Sequence, residues 1–129
     1  MPNSQTAVVA QYHVGLPATK GSVLRFKKRP NRGGVIGFRL ENSGDTTVTV
    51  SLEVSLDDTT YAATTSANNL EAVTDVVIPP RVFREFTVLL RAGADTYLRV
   101  AGSGGELDVQ MRGDKILNIL DSANPAPDA

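Results

Sequence analysis

Between Thr46 and Leu56 the chain reads TTVTVSLEVSL, in which Val48, Val50, Leu52, Val54 and Leu56 alternate with Thr47, Thr49, Ser51, Glu53 and Ser55. Side chains of a strand point to opposite faces with period two, so this segment lays an aliphatic ridge on a core and turns hydroxyls and a carboxylate toward water. An antiparallel sheet with one dry face follows. The same alternation recurs along the chain. Ala7–Val14, Ser22–Lys27, Val35–Leu40, a short run from Tyr61, Val73–Ile78, Val82–Leu90, Tyr97–Ala101 and Glu106–Arg112 all read as strands. Ile36, Phe38 and Leu40 are expected inside with Arg39 outside, and Leu107, Val109 and Met111 inside with Asp108 and Gln110 outside.

Breakers separate these runs about every ten residues, a cadence that predicts an all-β antiparallel sandwich. Alternation alone leaves a jelly-roll and an immunoglobulin-like strand order equally open. The ENSGD segment, Glu41–Asp45, is expected to close a hairpin between its flanking strands, and GSGG, Gly102–Gly105, to form a flexible hairpin tip. Asp57–Thr60 reads as a solvated turn, since the regular oxygen spacing of a calcium loop is missing. KILNIL, Lys115–Leu120, is a last strand or a short helical turn, and DSANPAPDA, residues 121–129, a short disordered tail. The expected organisation is an extended N-terminal arm with the first strands and a basic loop over 1–33, a sandwich core over 34–120, and the tail.

A chain of 129 residues buries enough surface to need no staple, and it has no cysteine to supply one. Its N-terminus lacks a basic leader with an apolar run, and no window approaches a membrane span, so a soluble, non-membrane protein is expected. The single histidine, His13, sits in the run AVVAQYHV and reads as a strand residue rather than a ligand or base. Tryptophan is absent and aromatic residues make up only 5%, which argues against stacking platforms for glycans or single-stranded nucleic acid.

Charge is segregated along the chain: residues 1–40 hold seven basic side chains and no acid, and the rest hold six basic and 14 acidic ones. Five of the eight residues from Arg25 to Arg32 are basic, so Arg25, Lys27, Lys28, Arg29 and Arg32 are the candidate contact residues, toward an acidic partner or a neighbouring subunit. Nucleic acid is the weaker partner for them, because no recognition helix, finger or aromatic pair accompanies the patch. Arg112-Gly113-Asp114 spells an adhesion tripeptide that a turn explains equally well. No nucleophile elbow, phosphate loop or metal-ligand spacing is present, so no catalytic residue, cofactor or metal site is expected and the chain is not expected to be an enzyme.

The segments VSLDDTTYAATTSANNL, IPPRVFREFTVLL and TYLRVAGSGGELDVQM, with Ser55, Asp57 and Tyr61 in an S-x-D-x-x-x-Y pattern, resemble the small β-sandwich structural proteins of tailed bacteriophages over about residues 35–112. The resemblance implies a decoration or cement protein, made in the host cytoplasm and carried on the virion, that binds the major capsid protein on the outside of the head as a homo-oligomer, often a trimer. On that reading residues 1–33 make most of the shell contact, and a truncated chain lacking them is expected to fold without decorating capsids. A receptor- or glycan-binding module of a tail fibre or baseplate, and a head–tail or tail-tube subunit, are the alternatives.

Overall fold

The computed structural model describes residues 8–122 except 31, 92 and 94. Ten strands run in order: β1 (Val8–Gly15), β2 (Gly21–Lys28), β3 (Gly34–Asn42), β4 (Val48–Ser55), β5 (Tyr61–Ala63), β6 (Val76–Ile78), β7 (Phe83–Leu90), β8 (Tyr97–Ser103), β9 (Glu106–Gly113) and β10 (Leu117–Ser122). They form two antiparallel sheets, one ordered β1-β9-β3-β7 and the other β10-β2-β8-β4-β5, with β6 also paired to β4. The inner faces meet in one core. Phe26, Leu24, Leu98, Val100 and Leu52 from the second sheet face Ile36, Phe38, Leu40, Leu107 and Met111 from the first, all at most 2% exposed.

The strand order decides between the two sandwiches left open by the alternation. Consecutive strands swap sheets at almost every connection, and the interleaved orders β1-β9-β3-β7 and β2-β8-β4-β5 are those of a jelly roll. The fold is therefore an all-β jelly-roll sandwich, with β10 added beside β2. KILNIL supplies that added strand, not a helical turn, and residues 123–129 of the expected tail lie outside the described residues.

Two expected hairpins are corrected by this topology. β3 and β4 are not partners: β3 pairs with β7 and β9, whereas β4 pairs with β8, β5 and β6 in the other sheet. Likewise β8 and β9 lie in different sheets, so GSGG is a corner between layers. Its glycines serve close approach, not flexibility. A Cβ on Gly102 would sit 2.6 Å from the Thr49 carbonyl oxygen and one on Gly104, whose φ is +118°, 2.6 Å from that of Thr47. The true hairpin is β4–β5, where Ser55 pairs with Tyr61.

Residues 8–28 belong to the sandwich. β1 is hydrogen-bonded to β9, β2 lies between β10 and β8, and Val14, Val23, Leu24 and Phe26 are core side chains. Removing residues 1–33 would take both strands with it, so the shell-contact idea is better tested by substitution.

Candidate functional site

The outer face of the second sheet corrects the expectation that Ser51, Glu53 and Ser55 face water. All three are buried. Register aligns Arg25 with Arg99 and Arg99 with Glu53 across β2, β8 and β4. Two adjacent guanidinium groups are tolerated because each has its own carboxylate: Arg99 Nε donates to Glu53 Oε1 at 2.6 Å, and Arg25 pairs with Asp58. Lys20 reaches Glu53 at 3.1 Å and Asp75 at 3.5 Å, and Arg99 lies 4.1 Å from the centre of the Tyr61 ring, whose hydroxyl donates to Asp58. Burial pushes the Glu53 pKa up, but hydrogen bonds from Arg99 and Lys20 outweigh it and hold the carboxyl below its ordinary value. Burial and Asp58 together raise the Tyr61 phenol.

The S-x-D-x-x-x-Y pattern thus has a local mechanism. Ser55 Oγ accepts the backbone N–H groups of Asp57 and Asp58, and Asp57 Oδ1 accepts those of Thr59 and Thr60, both at 2.9 Å. The turn makes Asp57 a backbone acceptor, with its pKa lowered by those N–H groups. Among the described residues no group of three or more His, Cys, Asp or Glu side chains is arranged to hold a metal ion.

The five candidate contact residues separate in space. Arg25 is half-buried in the ion-pair layer. Lys28 is 7% exposed and its ammonium donates to the Arg32 carbonyl at 2.7 Å, so it staples the turn from within and is not a docking residue. Alternation along β2 turns Lys28 away from Lys27, a consequence legible in the sequence once the strand is extended by one residue. Lys27 is exposed, 5.9 Å from the Tyr97 ring centre, Arg32 is exposed in the loop, and Arg29 donates to the Lys115 carbonyl at 3.3 Å. Among the described residues these three make no ion pair, whereas Lys20, Arg25, Arg39, Arg81, Arg91, Arg99 and Arg112 each have at least one. They form a cationic rim at the β2–β3 end.

The outer face of the first sheet carries a second polar lattice that the sequence reading did not single out. Rows of cross-strand neighbours run Gln11–Gln110–Arg39–Glu85 and His13–Asp108–Glu41–Phe83. His13 Nε2 is 2.9 Å from Glu106, and its Nδ1 pairs with Asp108. Both ring nitrogens are taken up by carboxylates, so His13 is a strand residue clamped in place. Burial lowers its pKa, but the hydrogen bonds and charges of Asp108 and Glu106 prevail and raise it. Arg39 stacks 4.1 Å from the Phe83 ring centre and pairs with Glu41, and Arg112 bridges Gln110 and Glu85. Above Gln11, His13, Arg39, Glu41, Asp108 and Gln110 lies an open groove of about 490 Å³.

A jelly-roll sandwich with polar outer faces and a cationic rim is the class these features define. No protein-family model and no curated protein matches the chain. Among solved structures the chain is similar to PirA at 10% identity and a TM-score of 0.49, covering 85% of this chain and 98% of that one. It is also similar to a chain of the naturally occurring empty particles, or top component, of cowpea mosaic virus, at 12% identity and a TM-score of 0.46, covering 100% of this chain and 93% of that one.

Proposed function

We propose that this protein is a small structural virion protein of the decoration or cement kind, which docks its cationic rim on acidic ground of the major capsid protein. The observation that carries the reading is the trio of exposed Lys27 and Arg32 with half-buried Arg29, left without acids of their own among the described residues in a molecule that pairs most of its other cations. Unpaired charge at a rim steers association and fixes register more than it supplies affinity. Binding to empty heads of the phage that encodes it should therefore be salt-sensitive.

Co-sedimentation with such heads tests this. The wild-type protein should pellet with shells, and the Lys27→Glu, Arg29→Glu, Arg32→Glu variant, folded by circular dichroism, should remain in the supernatant. Undiminished binding by that variant would falsify the docking assignment. Spontaneous assembly of the purified protein into rings or tubes would favour the tail. A glycan-binding module is the second reading, favoured by the groove of planar hydrogen-bonding side chains beside Phe83, and saturable binding on a glycan array would support it.

A further inference from the structure

We propose, building on the glycan reading of the groove, that the outer face of the first sheet binds a neutral oligosaccharide through its hydroxyl groups, with part of the ligand seated in a hollow that Gly37 leaves open. Gly37 lies in β3 between β7 and β9, registered against Thr87 on one side and Arg112 on the other. Glycine weakens a strand interior, so it stands there where something requires it: a positive φ, a close approach of backbone, or room for a ligand. The first two do not apply. Its φ is not positive, and a Cβ there would meet only the Cβ and carbonyl oxygen of Arg112, both at an ordinary 3.7 Å. Nothing else of the Arg112 side chain comes within 4 Å, so its bridge to Glu85 does not need the glycine either. The missing side chain leaves a hollow of about 190 Å³ on the outer face, whose walls include Gly37, Glu85, Thr87 and Arg112.

The hollow lies next to the groove of about 490 Å³, which runs over Arg39 and Glu41 further along the same face of β3. Donors and acceptors alternate there. Arg39 is stacked on Phe83 and gives one terminal nitrogen to Glu41 at 3.2 Å, and among the described residues its other N–H groups have no acceptor. Gln11 Oε1 accepts from Gln110 at 3.4 Å, which leaves the Gln11 amide N–H groups to give. Glu41 and Asp108 each engage one carboxylate oxygen, with Arg39 and with His13, and keep the other. A hydroxyl donates and accepts at once, so neighbouring hydroxyls of a sugar ring can take a hydrogen bond from the guanidinium and give one to a carboxylate beside it. Charge sets the class of sugar. Glu41, Asp108 and Glu106 stand here, and the cations beside them, Arg39 and His13, are already paired, so an anionic ligand meets repulsion. Recognition by hydrogen bonds instead of ring stacking also suits a chain poor in aromatic residues.

Docking by the cationic rim leaves this face free. Arg39 and Glu41 lie five and seven residues along β3 from Gly34, where the strand leaves the basic loop, a distance of about 16 to 23 Å at roughly 3.3 Å per residue. A head decorated with many copies presents many such clefts, and repetition turns a weak single-site affinity into avidity.

A glycan array carrying uncharged glucans, galactans and mannans beside sialylated and uronic-acid glycans, probed with the purified full chain, tests the class of ligand. Titration calorimetry with the tightest-binding free oligosaccharide then tests the residues. Saturable binding confined to uncharged glycans is expected. Gly37→Ala should keep or raise the melting temperature, since the methyl fits and the unfolded chain is restricted, while Gly37→Val should fill the hollow and weaken binding about tenfold or more. Gln11→Ala, at an exposed position of β1, should weaken binding about threefold or more, and it decides the matter even where the valine variant fails to fold. Binding of anionic glycans alone would overturn the neutral-ligand assignment and leave the glycan reading intact, whereas no glycan binding at all would remove both. A Gly37→Ala protein that melts below wild type, or a folded Gly37→Val or Gln11→Ala protein that binds as wild type does, would also overturn the proposal.

Discussion

Asn42, the last residue of β3, is fully buried where the chain leaves one sheet for the other. Its Nδ2 donates to the Ile78 carbonyl at 3.0 Å and the Thr46 carbonyl at 2.7 Å, and its Oδ1 accepts the Gly44 N–H at 3.0 Å. One side chain thus fastens the β3–β4 corner to the end of β6. Asn42→Ala removes all three bonds. The Ile78 and Gly44 bonds are buried and cost about 1 to 1.5 kcal/mol each when the partner is stranded, while the Thr46 bond is less enclosed and adds about 0.5, a total of roughly 2.5 to 3.5 kcal/mol. Asn42→Asp keeps the acceptor for Gly44 but aims a carboxylate at two carbonyls, so at neutral pH it should cost at least as much as alanine. Because the folded state resists that charge, the new carboxyl's pKa is raised. Its penalty is absent below the unfolded value near 4 and grows as pH rises past it. Urea unfolding followed by far-ultraviolet circular dichroism measures both variants, with the denaturant slope unchanged if only the native corner is affected. A loss below about 1 kcal/mol for Asn42→Ala, or an Asn42→Asp protein as stable as wild type at pH 7, would refute the reasoning.

Two further outcomes follow from the glycine corner and the histidine clamp. Gly104→Ala should cost about 2 kcal/mol or more, because backbone of β4 meets the new methyl, whereas Gly34→Ala, at φ +142° with nothing within 4 Å, should cost only the conformational part; equal losses in thermal unfolding would contradict this. Since the folded His13 pKa lies above its unfolded value, its clamp adds stability that is fully present below about pH 6.5 and is lost as pH rises through the folded pKa. His13→Gln should therefore destabilise at about pH 5.5 and be near neutral at about pH 9, and an equal loss at both would show that the ionised imidazole contributes nothing.

Period-two alternation made the strands legible, because it reports which side of a strand is dry and that is set locally. It does not report the partner. Leu40 and Val48, eight positions apart, read as the arms of a hairpin, yet both sit in the core on facing sheets, since Asn42 turns the chain across the sandwich instead of back along it. Nor does it report what covers the other side. Glu53 and Ser51 sit on the side of β4 opposite its aliphatic ridge and are nevertheless buried, because Arg99 and Tyr61 from neighbouring strands, together with Lys20 and Asp75, close over them. Of the proposed contact residues, Lys28 is buried for a local reason: it ends a strand whose own parity turns it inward, away from Lys27.

The charge segregation along the chain has a different meaning in space than in sequence. A basic first third and an acidic remainder suggest contact between molecules, but some of those opposites meet inside one molecule: Lys20 with Glu53, Arg25 with Asp58, Arg39 with Glu41, and His13 with Asp108 and Glu106. The jelly roll requires this, since it interleaves early strands with late ones, setting β1 beside β9 and β2 beside β8. Segregated charge in such a topology acts as a pairing code between strands distant in sequence, in which β2 and its like-charged neighbour β8 are held together by the acids of β4 and the β4–β5 turn. Among the described residues, Lys27, Arg29 and Arg32 at the β2–β3 end stay outside that pairing, as do Arg84 and Lys115. The proposed contact surface is therefore smaller than the basic run, because Arg25 is held in an ion pair and Lys28 is buried.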